Sequence, residues 1–198
     1  VKRLPAAAVI VDLGGSTTLS EEGALYRMGY EPKAKRLVII DLPPGERHED
    51  WKKTSDSEAP LLKREWGTIE YWYKSLAEVD RIEQTEFADL VWSGQSIEHI
   101  TEEAGDRMLQ GAHQMLKPGG HFCLDTPNRR VTQEVLGGLS HPDHKLEYDH
   151  EQLSKKLDWG KMKGMCRIHW HVSYAVELGL QEKHEESLAY LVQLLRSM

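Results

Sequence analysis

Phe87-Ala88-Asp89-Leu90-Val91-Trp92-Ser93-Gly94-Gln95-Ser96-Ile97-Glu98-His99 carries the clearest architectural signal in the chain. It opens as a short apolar strand and closes as a polar loop that sets a carboxylate beside an imidazole, which is the layout of an active site. Further along, His141-Pro142-Asp143-His144-Lys145-Leu146-Glu147-Tyr148 offers a distant third ligand, His144, that would turn the pair into a metal site.

Outward from this stretch, β-branched apolar runs bounded by Gly, Pro or Asp recur between helix-like segments, the pattern of βα units. Residues 8–13 read as a first strand. Residues 19–28 read as a helix, with Glu21 and Glu22 near its start and Gly29 after its end, suiting the helix dipole and the C-terminal turn. Residues 36–41 read as a second strand. From Pro43 to Trp66 the chain is polar and holds Pro43, Pro44 and Pro60, which predicts a long surface loop with a helical turn, placed to act as a substrate lip. A third strand at 68–73, a fourth at 89–93, a helix at 100–116, the turn Lys117-Pro118-Gly119-Gly120 and a fifth strand at 120–125 complete the series. Short runs alternating with helices predict an α/β fold with a doubly wound, mostly parallel sheet. No internal repeat or low-complexity tract interrupts it.

A chain of 198 residues, 39% hydrophobic and 29% charged, can bury one good core and is expected to form a single globular domain. The net charge of −7 lacks the clustered Lys and Arg that displace counterions, which weighs against nucleic acid as a partner. Cys123 lies in an apolar run and Cys166 in a basic stretch; they give no disulfide framework and suit a reducing compartment. No apolar run approaches the roughly 20 residues that a bilayer crossing needs, and the amino terminus lacks the order of a signal peptide, so a cytoplasmic location without membrane attachment is expected. Because the chain begins at Val1 and not at Met, upstream residues such as a lid helix are also expected.

In doubly wound sheets the ligand sits outside the carboxyl ends of the strands, where the strand order switches, so the candidates are the residues just past each apolar run. After the first strand comes Asp12-Leu13-Gly14-Gly15-Ser16-Thr17-Thr18, where glycines let a backbone approach a ligand closely and hydroxyls can donate; the same residues also suit a plain strand-to-helix turn. After the second comes Asp41, an acid placed to take the two hydroxyls of a ribose or, alternatively, to cap a turn.

Together these residues resemble the class I S-adenosylmethionine-dependent methyltransferases of the type 11 kind, over about residues 9–157. Residues 8–18 look like the family's first motif, 37–43 like its ribose-binding second strand, 87–99 like its fourth motif, and 116–125 like its LKPGG turn and fifth strand. The resemblance implies a Rossmann-like fold and S-adenosylmethionine as cofactor, with Asp12, Gly14, Gly15 and Ser16 near its amino-acid portion, Asp41 and Leu42 at its ribose, and Ser93, Gly94 and Gln95 around the transferring methyl. Two departures stand out. Ser16 and Thr18 replace glycines of the usual D-x-G-x-G-x-G, and Lys74-Ser75-Leu76 lacks the acid that holds the adenine amino group.

Gln95-x-x-Glu98-His99 with Asp143-His144-Lys145-Leu146-Glu147-Tyr148 is similar to the metal-site motifs of the small-RNA 2′-O-methyltransferases and sugar O-methyltransferases. That similarity implies Glu98, His99 and His144 as ligands of Mg2+ or Mn2+, while Gln95 stands where the first carboxylate would be and is a poorer donor to a hard cation. A cation binding vicinal hydroxyls would lower their pKa and fix their geometry, and a nearby imidazole could take the proton. Without a metal, His144 or His99 is the preferred general base. The bland alternatives are that Glu98 and His99 start a helix and that His144 bonds a loop. His141 and His150 flank the motif, and His169-x-His171 has strand spacing with no nearby acid or Cys to complete a second site.

Past Leu157 the resemblance fades. Residues 165–176 could form one strand, and 183–198 an amphipathic helix with Leu188, Leu191, Val192, Leu194 and Leu195 on one face. The expected division is therefore a cofactor-binding domain at 1–157 and a C-terminal extension at 158–198, packed on the same domain or on a partner subunit. If that tail leaves a sheet edge open, a homodimer would cover it. The expected function is metal-assisted O-methylation of a small-molecule or oligosaccharide acceptor. RNA 2′-O-methylation and a non-catalytic scaffold of the same fold stand as alternatives.

Overall fold

The computed structural model describes residues 1, 4–47 and 60–157. In chain order the elements are β1 (Val9–Leu13), α1 (Gly23–Arg27), β2 (Arg36–Asp41), β3 (Leu61–Arg64), β4 (Gly67–Tyr73), β5 (Ala88–Gly94), α2 (Glu102–Met115), β6 (Leu116–Asp125), α3 (Arg129–Leu136) and α4 (His150–Leu157). The strands form one sheet in the order β3-β4-β2-β1-β5-β6. All neighbours run parallel except β3, which pairs antiparallel with β4 at the edge.

The sheet is buried on both faces, which is why its strands read as unbroken apolar runs. Val11, Leu13, Val38, Ile40, Val91, Phe122 and Leu124 point to one core, against Met108, Leu109, Ala112 and Met115 of α2 and Leu153 and Leu157 of α4. The intervening residues Ile10, Leu37, Ile39, Leu90, Trp92 and Cys123 point to the other, with Leu25, Tyr26 and Tyr30. Alternation of period two thus divides each strand between two cores, and the expected doubly wound, mostly parallel sheet is what the chain forms.

Local chemistry sets the element ends. Thr101 caps α2 by accepting from Ala104 N at 3.3 Å, with Glu102 and Glu103 in the first turn. The helix expected at 19–28 is shorter, because Thr17 and Ser20 hydroxyls accept from Leu19 N and Glu22 N and hold that stretch in turns. The loop expected from Pro43 to Trp66 does contain a helical turn, Pro44–Glu46, but its end forms β3, an exposed four-residue edge strand with too short a pattern to read in sequence. Lys117 to Gly120 bulges within β6: Ala88 pairs with Leu116, and the next register pair is Leu90 with His121. The helices α3 and α4 were not expected from the sequence.

The expectations for the extension at 158–198, including the strand at 165–176, the helix at 183–198, His169, His171 and Cys166, lie outside the described residues, as do residues 48–59 of the loop. Among the described residues no helix is long and apolar enough to cross a membrane.

Candidate functional site

The chain leaves β1 for β2 on one side and later returns to β5 on the other, so the strand order switches between β1 and β5, the point at which doubly wound sheets open their ligand crevice outside the strand ends. Leu13, the last residue of β1, pairs with Ile40 on one flank and Ser93 on the other, which gathers the ends of β1, β2 and β5 around that point. The turn after β1 is tight. Gly14 has φ of 74°, and its N–H donates to Ile40 O at 2.8 Å. A Cβ on Gly15 would lie 2.1 Å from Asp12 Cγ, so the loop packs directly over that carboxyl.

Asp12 is buried, and Leu25 N donates to its Oδ2 at 3.3 Å. Burial pushes its pKa up to about 7, opposed by the Leu25 N–H and reinforced by the charge of Asp41. Asp41 accepts from Ser16 N at 3.0 Å and from Leu42 N at 2.8 Å, one amide on each oxygen. Its pKa is also raised by burial, against the pull of the Ser16 amide and the Arg47 guanidinium. Each oxygen retains acceptor capacity for a further donor, as a ribose diol requires. Across the crevice Ser93 is buried with no hydrogen-bond partner for its hydroxyl among the described residues, and Gln95 turns the chain at φ of 53°, its N–H donating to Asp125 O at 2.8 Å. After β4, Ser75 caps the turn Leu76–Arg81 by accepting from Ala77 N at 3.2 Å.

The sequence did not single out Ser96, whose Oγ lies 3.1 Å from both Leu13 O and Gly94 O and ties the β1 and β5 loops together. A Ser in a Gly-Gln-Ser run carries no signal for a contact 83 positions away in the chain.

The second group gathers at the ends of β5 and β6. Glu98, His99 and His144 each present a ligand atom, all within 4.8 Å of one another. Glu98 is 0% exposed. Thr126 Oγ1 donates to its Oε2 at 2.9 Å, while Oε1 has no partner among the described residues. Burial raises its pKa to about 8, with a smaller contribution from the charges of Asp125 and Glu147. The His144 segment docks on the same residue, for Lys145 N and Leu146 N both donate to Glu98 O, at 2.8 and 3.3 Å. The His99 and His144 rings stand edge to face with centroids 4.7 Å apart, and His141 lies 5.5 Å from His144. Partial burial and the imidazoles of His144 and His141 hold the pKa of His99 below its usual value. An orphaned buried carboxylate oxygen facing two imidazoles is a donor set that fits a divalent cation. Gln95 is held at the turn above this group.

This chain belongs to the methyltransferase domain family, whose pattern it matches over residues 22–124. The fold is that of the class I methyltransferases, which use S-adenosylmethionine. Among solved structures it is similar to the small RNA methyltransferase HEN1, at 17% identity and a TM-score of 0.52, covering 80% of this chain and 19% of that one. An S-adenosylmethionine-dependent methyltransferase from Archaeoglobus fulgidus is 15% identical with a TM-score of 0.51, covering 76% of this chain and 59% of that one. A chain from the complex of the Haloferax volcanii Trm112 methyltransferase activator with a methyltransferase is 16% identical with a TM-score of 0.50, covering 78% and 62%. The chain thus spans no more than 62% of the length of these structures, and at such identities the likeness is one of fold. No curated protein sequence matches it.

Proposed function

We propose that the chain is an S-adenosylmethionine-dependent O-methyltransferase acting on a carbohydrate hydroxyl, assisted by magnesium or manganese held at Glu98, His99 and His144. The observation that carries this reading is the convergence of those three side chains within 4.8 Å, with the buried Glu98 Oε1 left without a partner among the described residues. Most buried carboxyl oxygens have a hydrogen-bond partner, so an oxygen without one that also faces two imidazoles supports a ligand role.

The acceptor follows from chemistry. A sugar hydroxyl has a pKa far above neutrality and is a poor nucleophile toward a methyl sulfonium. When bound, a divalent cation supplies polarisation and a fixed direction for vicinal hydroxyls. One carboxylate and two imidazoles leave such a cation net positive and open to neutral oxygen donors, while the net charge of −7 disfavours a polyanion. The remaining steps belong to the chain. The Gly14–Ser16 turn and Asp41 bind and orient the cofactor, Ser93 to Gln95 border the reacting methyl, and Glu98, His99 and His144 hold the ion. His99 and His144 are then ligands, and an imidazole of this cluster takes the proton that the acceptor oxygen loses.

The test is transfer of labelled methyl from S-adenosylmethionine to mono- and oligosaccharides and to an RNA with a free 3′-terminal diol, with magnesium, with manganese, and with chelator. Label in diol-bearing sugars that disappears with chelator and in the matching deoxy-sugars is the expected result. Label in RNA alone, or transfer indifferent to chelator, would overturn the reading.

A further inference from the structure

Beside the three ligand side chains lies a set of buried polar groups gathered on Glu147. Glu147 is 0% exposed. Its Oε1 accepts from Ser140 N at 2.7 Å and from Ser140 Oγ at 2.5 Å, and lies 2.6 Å from His144 Nδ1; Oε2 accepts from Thr132 Oγ1. Oε1 thus has three partners and Oε2 one, so the carboxylate is pinned at both oxygens. Its donors come from α3, from the turn that follows it, and from the His144 loop, three pieces of chain joined at one side chain.

Ser140 N can only donate, so Glu147 Oε1 is an acceptor there, and the 2.6 Å contact from the same oxygen to His144 Nδ1 places the hydrogen between them on Nδ1. The Ser140 hydroxyl, 3.1 Å from the same nitrogen, is already donating to Glu147 and can only accept from it. The lone pair of His144 is therefore on Nε2, at the far side of the ring from Glu147.

We propose that Glu147 is a positioning residue: clamped by Ser140 and Thr132, it locks His144 in the Nδ1–H tautomer and aims Nε2 at the ion shared with Glu98 and His99. The tautomer follows from the geometry alone; the aim at an ion rests on the metal reading above. Carboxylate partners of this kind fix ring orientation and raise ligand basicity, and their loss typically weakens metal binding by roughly 10- to 100-fold.

Two measurements on the full chain test it. Long-range proton–nitrogen correlation spectra of the metal-free wild type, at alkaline pH where imidazoles are neutral, should show His144 with its proton on Nδ1, and Glu147→Ala should release it to the Nε2–H form that an unconstrained imidazole favours. Manganese titration should then show wild-type binding, a loss on the order of 10-fold or more in Glu147→Ala, and a smaller loss in Glu147→Gln, whose amide oxygen still accepts from Nδ1 without the charge. S-adenosylhomocysteine affinity should be the same in all three, which a general loss of structure would not allow. An Nε2–H tautomer in the wild type overturns the proposal without any variant. The expected tautomer with equal manganese affinity in wild type and Glu147→Gln or Glu147→Ala overturns the positioning role while the metal reading stands. The expected tautomer in a wild type that binds no manganese overturns the metal reading and with it the aim assigned to Nε2.

Discussion

His144 bears the sharpest consequence of any single residue. It is buried, and its ring contacts and side-chain hydrogen bonds go to His99, His141, Ser140 and Glu147, away from Gly14 and Asp41 in the sheet order of the strands that carry them. Replacing His144 with Ala should leave S-adenosylhomocysteine affinity within about twofold of wild type and lower metal-dependent turnover by about 100-fold or more, because the ion that positions and polarises the acceptor loses a ligand. Parallel calorimetry and label-transfer assays check this; a collapse of cofactor affinity would make His144 a structural residue. The sequence pointed to Glu98 and His99 because a carboxylate next to an imidazole after an apolar strand is a local pattern, and to His144 through the resemblance of its Asp143-His144-Lys145-Leu146-Glu147-Tyr148 motif. Ser96, Thr132 and Ser140 were not legible. Ser96 acts on a partner distant in the chain, Thr132 sits on an unforeseen helix, and a serine or threonine reads alike in a loop and in a site. Glu147 stood in view within the His144 motif, but its role depends on burial, which no spacing reveals.

Among the elements, α2 shows how the sheet and the site are braced. Its Gly111 faces the turn Leu76–Arg81, and a Cβ there would lie 2.5 Å from Val79 C and 2.6 Å from Asp80 N, both backbone atoms that cannot swing aside. Alanine is the better helix former by about 1 kcal/mol, but forcing a methyl against backbone costs more. Gly111→Ala should therefore destabilise by a net of about 1–3 kcal/mol, seen as a lower urea midpoint with unchanged slope. A midpoint at or above wild type would mean that helix and turn are less closely packed. The parallel strands were legible because burial on both faces leaves apolar runs bounded by Gly and Asp, and 36–41 coincides with β2. The short edge strand β3 and the helices α3 and α4 were not, since their patterns are brief and their apolar faces are completed by residues elsewhere in the fold.

For the molecule as a whole, the buried acid of the first motif couples folding to pH. Asp12 holds its proton to about pH 7 in the folded chain and only to its ordinary 3.8 when unfolded. The folded state thus binds more protons between those values, and this group's contribution falls as pH rises from about 3.8 to about 7, then levels off. The size is on the order of a few kcal/mol, because each pH unit over which only the folded chain keeps the proton is worth about 1.36 kcal/mol. Asp12→Asn removes the titration and should gain stability relative to wild type by that amount between pH 4 and pH 7.5, in urea unfolding of the ligand-free protein. A wild-type-to-variant difference that is constant with pH would show that Asp12 ionises normally beneath Gly15.

Everything proposed for the site depends on the crevice at the β1/β5 switch holding S-adenosylmethionine despite Ser16 and Thr18 in the glycine motif and the missing acid after β4. Calorimetric titration of the full chain with S-adenosylhomocysteine, wild type beside Asp41→Ala, addresses that dependence without any knowledge of the acceptor. We expect micromolar binding in the wild type and an affinity weaker by about 1–3 kcal/mol in the variant, whose ribose hydroxyls lose a charged acceptor. No heat from a folded wild-type sample, or equal affinity in the two proteins, would refute it.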